Sequence, residues 1–250
     1  MSPATPARWA WVRAVLLDVD DTLIDTRAAM HAAGAAGAAA AWPQAEPERI
    51  GLAGKRFRDD PEGHFAAYTR GEMAFAAMRE ARIGEVARWL GVPDWEGSAG
   101  VFLAAYDRVF MDCLRAFPDA RACVESLRAT GIAVGLLTNS GADYTVAKLA
   151  RTGLAGLTEV VCTRDTLGIG KPDARAFHEA CRQLDSAPEV TGYVGDEWVP
   201  DARGAADAGL TPAWLVRDPG SADAARGRAG EHGIPVIAGL DEVPGLCAGS

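Results

Sequence analysis

Residues 14–25 read AVLLDVDDTLID. The apolar run from Ala14 to Leu17 passes straight into acids at Asp18, Asp20 and Asp21. A strand covered on both faces of a parallel sheet has this form, continuously apolar rather than alternating, with polar residues where it leaves the sheet. The pattern recurs downstream in IAVGLLTNS (132–140), EVVCT (159–163), VTGYVGD (190–196) and TPAWLV (211–216). Helix-forming segments at 120–129, 144–151, 173–184 and 201–208 lie between them, and PVIAG (235–239) adds a late edge strand. Short strands alternating with helices imply right-handed crossovers, and so a doubly wound, Rossmann-like α/β parallel sheet.

The segment after Asp25 has a different character. RAAMHAAGAAGAAAAW (27–42) is a strong helix former, weakened by Gly34 and Gly37 and stopped at Trp42-Pro43. Residues 72–91 place Ile83, Val86 and Leu90 on one helical face, closed by Gly91 and Pro93. Residues 100–114 repeat the pattern, with Val101, Ala105 and Val109 beside Phe102, Tyr106 and Phe110. Residues 44–70, rich in Pro, Gly and charge, carry no assignment. No β-patterned run interrupts the stretch. The expected organisation is a core of residues 1–26 and 113–250 with an all-helical cap, 27–112, inserted between.

Apolar residues make up 49% of the 250 and charged residues 24%, ordinary for a soluble globular chain. Twenty-five basic against 34 acidic residues give a net charge of −9. That argues against a nucleic-acid partner or an anionic membrane surface, both of which need clustered Lys and Arg. Five cysteines, with no C-x-x-C spacing, read as free thiols in a reducing compartment. The start MSPATPARWAWVR has no apolar leader, and no stretch is long enough to span a bilayer, so a cytoplasmic location is expected.

In a doubly wound sheet, ligands bind beyond the carboxyl ends of the strands. Four such positions carry polar residues: Asp18-Val19-Asp20-Asp21-Thr22, Thr138-Asn139-Ser140, Gly170-Lys171-Pro172-Asp173, and Gly195-Asp196 with Asp201 five residues on. In order and type they resemble the four motifs of the haloacid dehalogenase-like superfamily: D-x-D-x-T-L, the LLTNS strand end, GKPD and VGD-x4-D. The helical insert is similar to the cap of one subgroup.

That resemblance implies a Mg²⁺-dependent phosphatase acting on a small phosphorylated metabolite, a sugar phosphate or nucleoside monophosphate. Asp18 would be nucleophile and metal ligand. Asp196 would be a second carboxylate ligand. Asp20 would give its backbone carbonyl to the metal and its side chain to general acid–base work. Thr138, Asn139 and Lys171 would bind phosphate, while Asp201 and Glu197 would orient metal-bound water. Without a cation the cluster is not viable: each like-charge pair at ~4 Å costs roughly 4 kcal/mol at an effective dielectric of 20. An acid at position 20 favours ester chemistry over dehalogenation, since the family's dehalogenases lack one there. Glu197 and Pro200 depart from the small or amide residues common at those places. Closure of the cap would exclude water and select the substrate.

Other readings stay open at this stage. Asn139 and Asp173 also suit caps or turns, and Asp201 suits a helix N-terminus. Arg79 and Arg82, three apart on one helical face of the cap, either reach substrate or form a solvated charged face with Glu80 and Glu85. His31 and His64 have no assigned role. A phosphomutase of the same superfamily, or a non-catalytic binding relative, are the alternatives to the phosphatase.

Overall fold

A computed structural model describes residues 9–248. Residues 1–8, where the absence of a leader was read, lie outside the described residues. The chain divides into two compact units, Met1–Ile24 with Ala116–Ser250, and Asp25–Arg115. Ile24 bridges Ala116 in antiparallel fashion, so the division falls at that pairing, two and three residues from the expected positions.

The inserted unit is helical throughout: α1 (Thr26–Ala41), α2 (Pro47–Asp59), α3 (His64–Thr69), α4 (Phe75–Leu90) and α5 (Ala99–Cys113). Asp25 caps α1, its carboxylate accepting from the Ala28 amide at 3.0 Å. Gly37 costs α1 roughly 1 kcal/mol of helix propensity, yet a Cβ there would lie 2.8 Å from the Phe102 ring. The glycine therefore lets α5 approach α1. In α5 the stripe Phe102, Tyr106 and Phe110 is buried, whereas Val101 stays half exposed. Phe57 of α2 completes this core, its ring 5.5 Å from Phe102 and 4.9 Å from Tyr106. The unassigned stretch 44–70 thus holds two helices, with Pro47 in the first turn of α2, where no amide partner is missed.

Among the described residues the other unit carries six strands: β1 (Ala14–Leu17), β2 (Ala133–Thr138), β3 (Val160–Thr163), β4 (Thr191–Gly195), β5 (Thr211–Leu215) and β6 (Val236–Ile237). They pair only in parallel, in the order β3-β2-β1-β4-β5-β6, with β6 as the late edge strand. Helices α6 (Ala120–Ala129), α7 (Ala142–Arg151), α8 (Ala174–Gln183) and α9 (Ala222–Gly230) are the longer ones of this unit. Central β1 is buried along its length because both faces are covered. Burial of Val15, Leu16 and Leu17 contributes roughly 1.5–3 kcal/mol each. Leu17 pairs with Leu136 on one side and Val194 on the other. Parallel pairing brings the carboxyl ends of β1, β2 and β4 to one edge of the sheet.

One expected element differs. Residues 201–208 do not form a continuous α-helix. A π-helical turn spans Trp198–Arg203 and a single α-turn, Gly204–Asp207, follows it. The amides of Asp201 and Ala202 both reach the Glu197 carbonyl at 3.2 Å, and the wider turn accommodates a buried Asp201. On the same unit, Arg217 clamps Asp119 at 2.9 and 3.0 Å, donates to the Thr22 carbonyl at 2.9 Å, and lies 3.8 Å over the Phe117 ring. All five cysteines are free thiols. Among the described residues no helix is long and apolar enough to cross a membrane.

Candidate active site

Asp18 is the first residue after β1. Its amide donates to the Val194 carbonyl at 2.9 Å, which continues the sheet pairing by one step and buries the side chain. The Lys171 ammonium donates to Asp18 Oδ1 at 2.7 Å, Asp201 Oδ1 at 2.7 Å and the Tyr193 hydroxyl at 2.8 Å. A lysine has three N–H donors, so this one is saturated. The Tyr193 hydroxyl donates onward to Asp201 Oδ1 at 2.9 Å, and the Glu197 amide donates to Asp201 Oδ2 at 2.9 Å. Gly195 makes room for this arrangement, because a Cβ there would stand 2.4 Å from Asp201 Cγ.

The carboxylates of Asp18, Asp196 and Asp201 offer oxygens within 4.8 Å of one another. Burial, then the charges of Asp201 and Asp20, push the Asp18 carboxyl up to about 8 against the pull of Lys171. Burial works to lower Lys171, but Asp18 and Asp201 hold it above the ordinary lysine range. The ammonium therefore stays charged, yet Asp18 remains in a net unfavourable field set by burial and the neighbouring acids. An added divalent cation would relieve that field. Clustered carboxylate oxygens are a donor set that suits Mg²⁺, and Asp18, Asp196 and Asp201 supply them.

Asp20 belongs to a second cluster on the same rim. Its side chain is 33% exposed, and the Lys148 ammonium donates to Oδ1 and Oδ2 at 2.5 and 2.7 Å. The Thr138 hydroxyl, at the end of β2, donates to Asp20 Oδ2 at 3.4 Å. Lys148 also donates to Ser140 Oγ at 3.1 Å, and the Ser140 amide donates to Thr138 Oγ1 at 3.1 Å.

Several expected roles change. Asn139 does not show the phosphate-facing role. Its amide group grips the backbone of residue 171 from both sides, Nδ2 donating to the Lys171 carbonyl at 2.9 Å and Oδ1 accepting from the Lys171 amide at 2.7 Å. It fixes the loop that carries the lysine. Asp201 is fully buried within the Lys171 network and joins the metal-competent carboxylates, whereas Glu197 contributes its amide and leaves its side chain exposed. Asp173 is a plain N-cap of α8, accepting from the Arg175 amide at 2.9 Å. In the helical unit Arg79 pairs with Asp107. Arg82 is buried, donates to the carbonyls of Phe57 and Arg58, and lies 4.3 Å over the Phe57 ring. It serves that unit's own core, so the pair forms neither a solvated face nor two free guanidinium groups.

Lys148 and Tyr193 were missed from sequence. Lys148 left a readable signal: it shares the core-facing stripe of α7 with Thr145 and Leu149, three and one positions away. A lysine on that stripe, just after a motif, calls for a buried partner. Tyr193 left none, because an aromatic in a central strand is ordinary core.

Comparison with known proteins places this geometry. The haloacid dehalogenase-like hydrolase family matches residues 12–209. A glyceraldehyde 3-phosphate phosphatase of Methanopyrus kandleri is 30% identical over 215 residues, covering 82% of this chain and 84% of that protein. A phosphoserine phosphatase of Thermus thermophilus is 40% identical over 101 residues, 40% of this chain and 41% of that protein, so the match spans less than half of its length. Among solved structures, the HAD-hydrolase YfnB of Bacillus subtilis, bound to magnesium, has a TM-score of 0.74 over 94% of this chain and 98% of its own. At 19% identity that is a likeness of fold.

Proposed function

Because this chain belongs to the haloacid dehalogenase-like hydrolase family, we propose that it is a Mg²⁺-dependent phosphatase using Asp18 as nucleophile. Its substrate class is a small phosphate monoester, a sugar phosphate or a nucleoside monophosphate. The observation that carries the reading is the division between two acids. Asp18 is buried and held by Lys171, while Asp20, two residues on, keeps an exposed edge at the rim. That division suits one acid to attack on phosphorus and the other to proton exchange with a leaving group or water. The match to curated phosphatases along most of the chain supports the same branch.

Phosphoryl transfer is mainly positioning and charge compensation. Lys171 holds the Asp18 carboxylate in one rotation through Oδ1, and Tyr193 and Asp201 hold Lys171. Asp18 attacks phosphorus, the ester oxygen leaves with a proton from the Asp20 carboxyl, and an aspartyl phosphate forms. Asp20, now a carboxylate, takes a proton from water as the water attacks that phosphorus and restores Asp18. Thr138 presents its hydroxyl to the transferring group. Asp18, Asp196 and the Asp20 carbonyl would hold Mg²⁺, which would supply charge neutralisation to the transferring group. Asp201 keeps Lys171 and that carboxylate group in register. Five free thiols support a reducing, cytoplasmic setting. The test is phosphate release across a panel of phosphorylated metabolites, with Mg²⁺ and then with the metal chelated. Release that needs Mg²⁺ is expected; no release from any monoester would overturn the reading.

A further inference from the structure

Lys148 is the largest charged group of the rim that the scheme above leaves without work. It is buried to 1% residual exposure, on the core-facing stripe of α7. Burying an ammonium carries a desolvation penalty of several kcal/mol, offset only by a close anion and further acceptors. Asp20 and Ser140 supply these. The pair is not sealed from solvent, since the Asp20 side chain keeps 33% exposure. The Thr138 hydroxyl and the Lys148 ammonium also converge on one and the same oxygen, Asp20 Oδ2, at 3.4 and 2.7 Å. Two donors aimed at a single anionic oxygen describe a seat for an oxyanion, and a side-chain carboxylate occupies it.

We propose that Lys148 is a phosphoryl-binding residue, the counterpart of Lys171, and that Asp20 holds its place until substrate arrives. The proposal rests on the phosphatase reading. An incoming phosphoryl oxygen takes the seat between Thr138 and Lys148. Asp20 gives up the ammonium, takes up a proton from solvent through its exposed edge, and turns the resulting carboxyl towards the ester oxygen. The exchange answers a difficulty in the resting geometry, since a carboxylate held at both oxygens by an ammonium is badly placed to donate a proton. Phosphate binding and the release of the acid become one event, so the acid is delivered only when there is a leaving group to protonate.

The probe is inorganic phosphate, titrated calorimetrically in the presence of Mg²⁺ into wild type, Lys148→Met, Lys148→Gln and Lys148→Arg. Charge-assisted hydrogen bonds of this kind are worth about tenfold or more in affinity. Met and Gln should each raise the phosphate Kd by about that factor, and KM for the best monoester with it, while Arg stays close to wild type. Gln keeps a neutral donor at residue 148, and melting curves identify any variant that fails to fold. The loss should persist in an Asp20→Asn background, where neutralising residue 20 is no longer a task. A Kd unchanged by Gln, or a loss that disappears with Asp20→Asn, overturns the proposal and returns Lys148 to a holder of Asp20. If wild type binds phosphate through Lys148 but hydrolyses no ester, the phosphatase reading fails while this assignment stands. If hydrolysis is robust and Kd is indifferent to residue 148, only this assignment fails.

Discussion

Both units of this chain contain buried acids brought close together, and the two groups differ in how charge is balanced. In the sheet unit, Asp18, Asp196 and Asp201 gather around Lys171, and Asp18 is pushed up to about 8 by burial and its acidic neighbours. In the helical unit, Asp60, His64 and Glu85 offer ligand atoms within the same 4.8 Å limit. There, however, Arg56 meets Glu85 at 3.0 Å, Arg82 approaches Asp60 at 3.8 Å, and Arg88 pairs with Glu62 at 2.7 Å. Asp60 is further occupied in capping α3, accepting from the amides of His64 and Phe65 at 3.1 and 2.7 Å. Proximity of ligand atoms is thus a poor guide to a metal site. What distinguishes the first group is negative charge in excess of its resident cation; the second carries its own guanidinium groups.

The contrast can be broken most directly at the nucleophile. Asp18→Asn should remove hydrolysis by on the order of 10⁶-fold, because an amide cannot form the acyl phosphate. Steady-state phosphate release reads the loss, and residual turnover within a hundredfold of wild type would place the nucleophile elsewhere. Chelation should come next in size. EDTA should take turnover to background and Mg²⁺ should restore it, whereas Ca²⁺, which favours bidentate carboxylates, should not. Replacing His64 by Ala in the balanced cluster should leave the Mg²⁺ concentration for half-maximal rate unchanged; a shift there would mean that the second cluster binds the ion too.

Asp20→Asn should cost ~10²–10⁴-fold on an ordinary ester. With an activated aryl phosphate, whose leaving group needs no proton, the first step should survive and the phosphorylated enzyme should accumulate. Rapid-quench mass spectrometry would detect the added HPO₃ on the Asp18 peptide, and a variant that turns over at the wild-type rate would remove Asp20 from acid–base work. Smaller effects belong to stability. Arg82→Met leaves the buried carbonyls it serves without a partner, costing roughly 1–3 kcal/mol for each acceptor. Urea unfolding would register this, with metal dependence untouched.

The Arg217–Asp119 clamp gives the smallest effect and calibrates the others. Despite burial, which works upward, bonds from Arg217 and the Leu240 amide hold the Asp119 carboxyl below its ordinary range. A depressed folded-state value stabilises the fold above the unfolded value of ~3.9. That contribution is lost as pH falls from there through the folded value. Asp119→Asn should therefore cost about 1–2 kcal/mol at pH 7 and nothing in strong acid. A penalty that ignores pH would mean shape, not charge, is what the clamp supplies.

Much of this was legible because a covered parallel strand announces itself by composition. AVLL, AVGLLT and TGYVG each end where polar residues begin, so the rim and its order could be read from one sequence. The helices at 47–59 and 64–69 could not, since Phe57 of the first packs on the distant Tyr106 and Tyr68 of the second on Phe75 beyond its end, neither of which a local pattern shows. Gly37 read as a weakness in a helix and proved to be a point of contact. Asp20 could be found and Lys148 stood on a core-facing stripe, but their pairing could not be read, because it spans 128 positions in the chain. Asn139 was visible as a polar residue in the right place, though what it binds is set by the loop it meets.

The π-helical turn after β4 also bears on which sequences can carry this site. Asp196 and Asp201 work as a pair only because the chain between them winds five residues where an α-helix would bring back four. Removing one residue from Glu197–Pro200 would tighten the turn and rotate Asp201 out from under Lys171, whichever residue was taken. Val199 is exposed and Trp198 buried in that interval, but it is the count of residues that sets where Asp201 falls. Length, here, is the constraint.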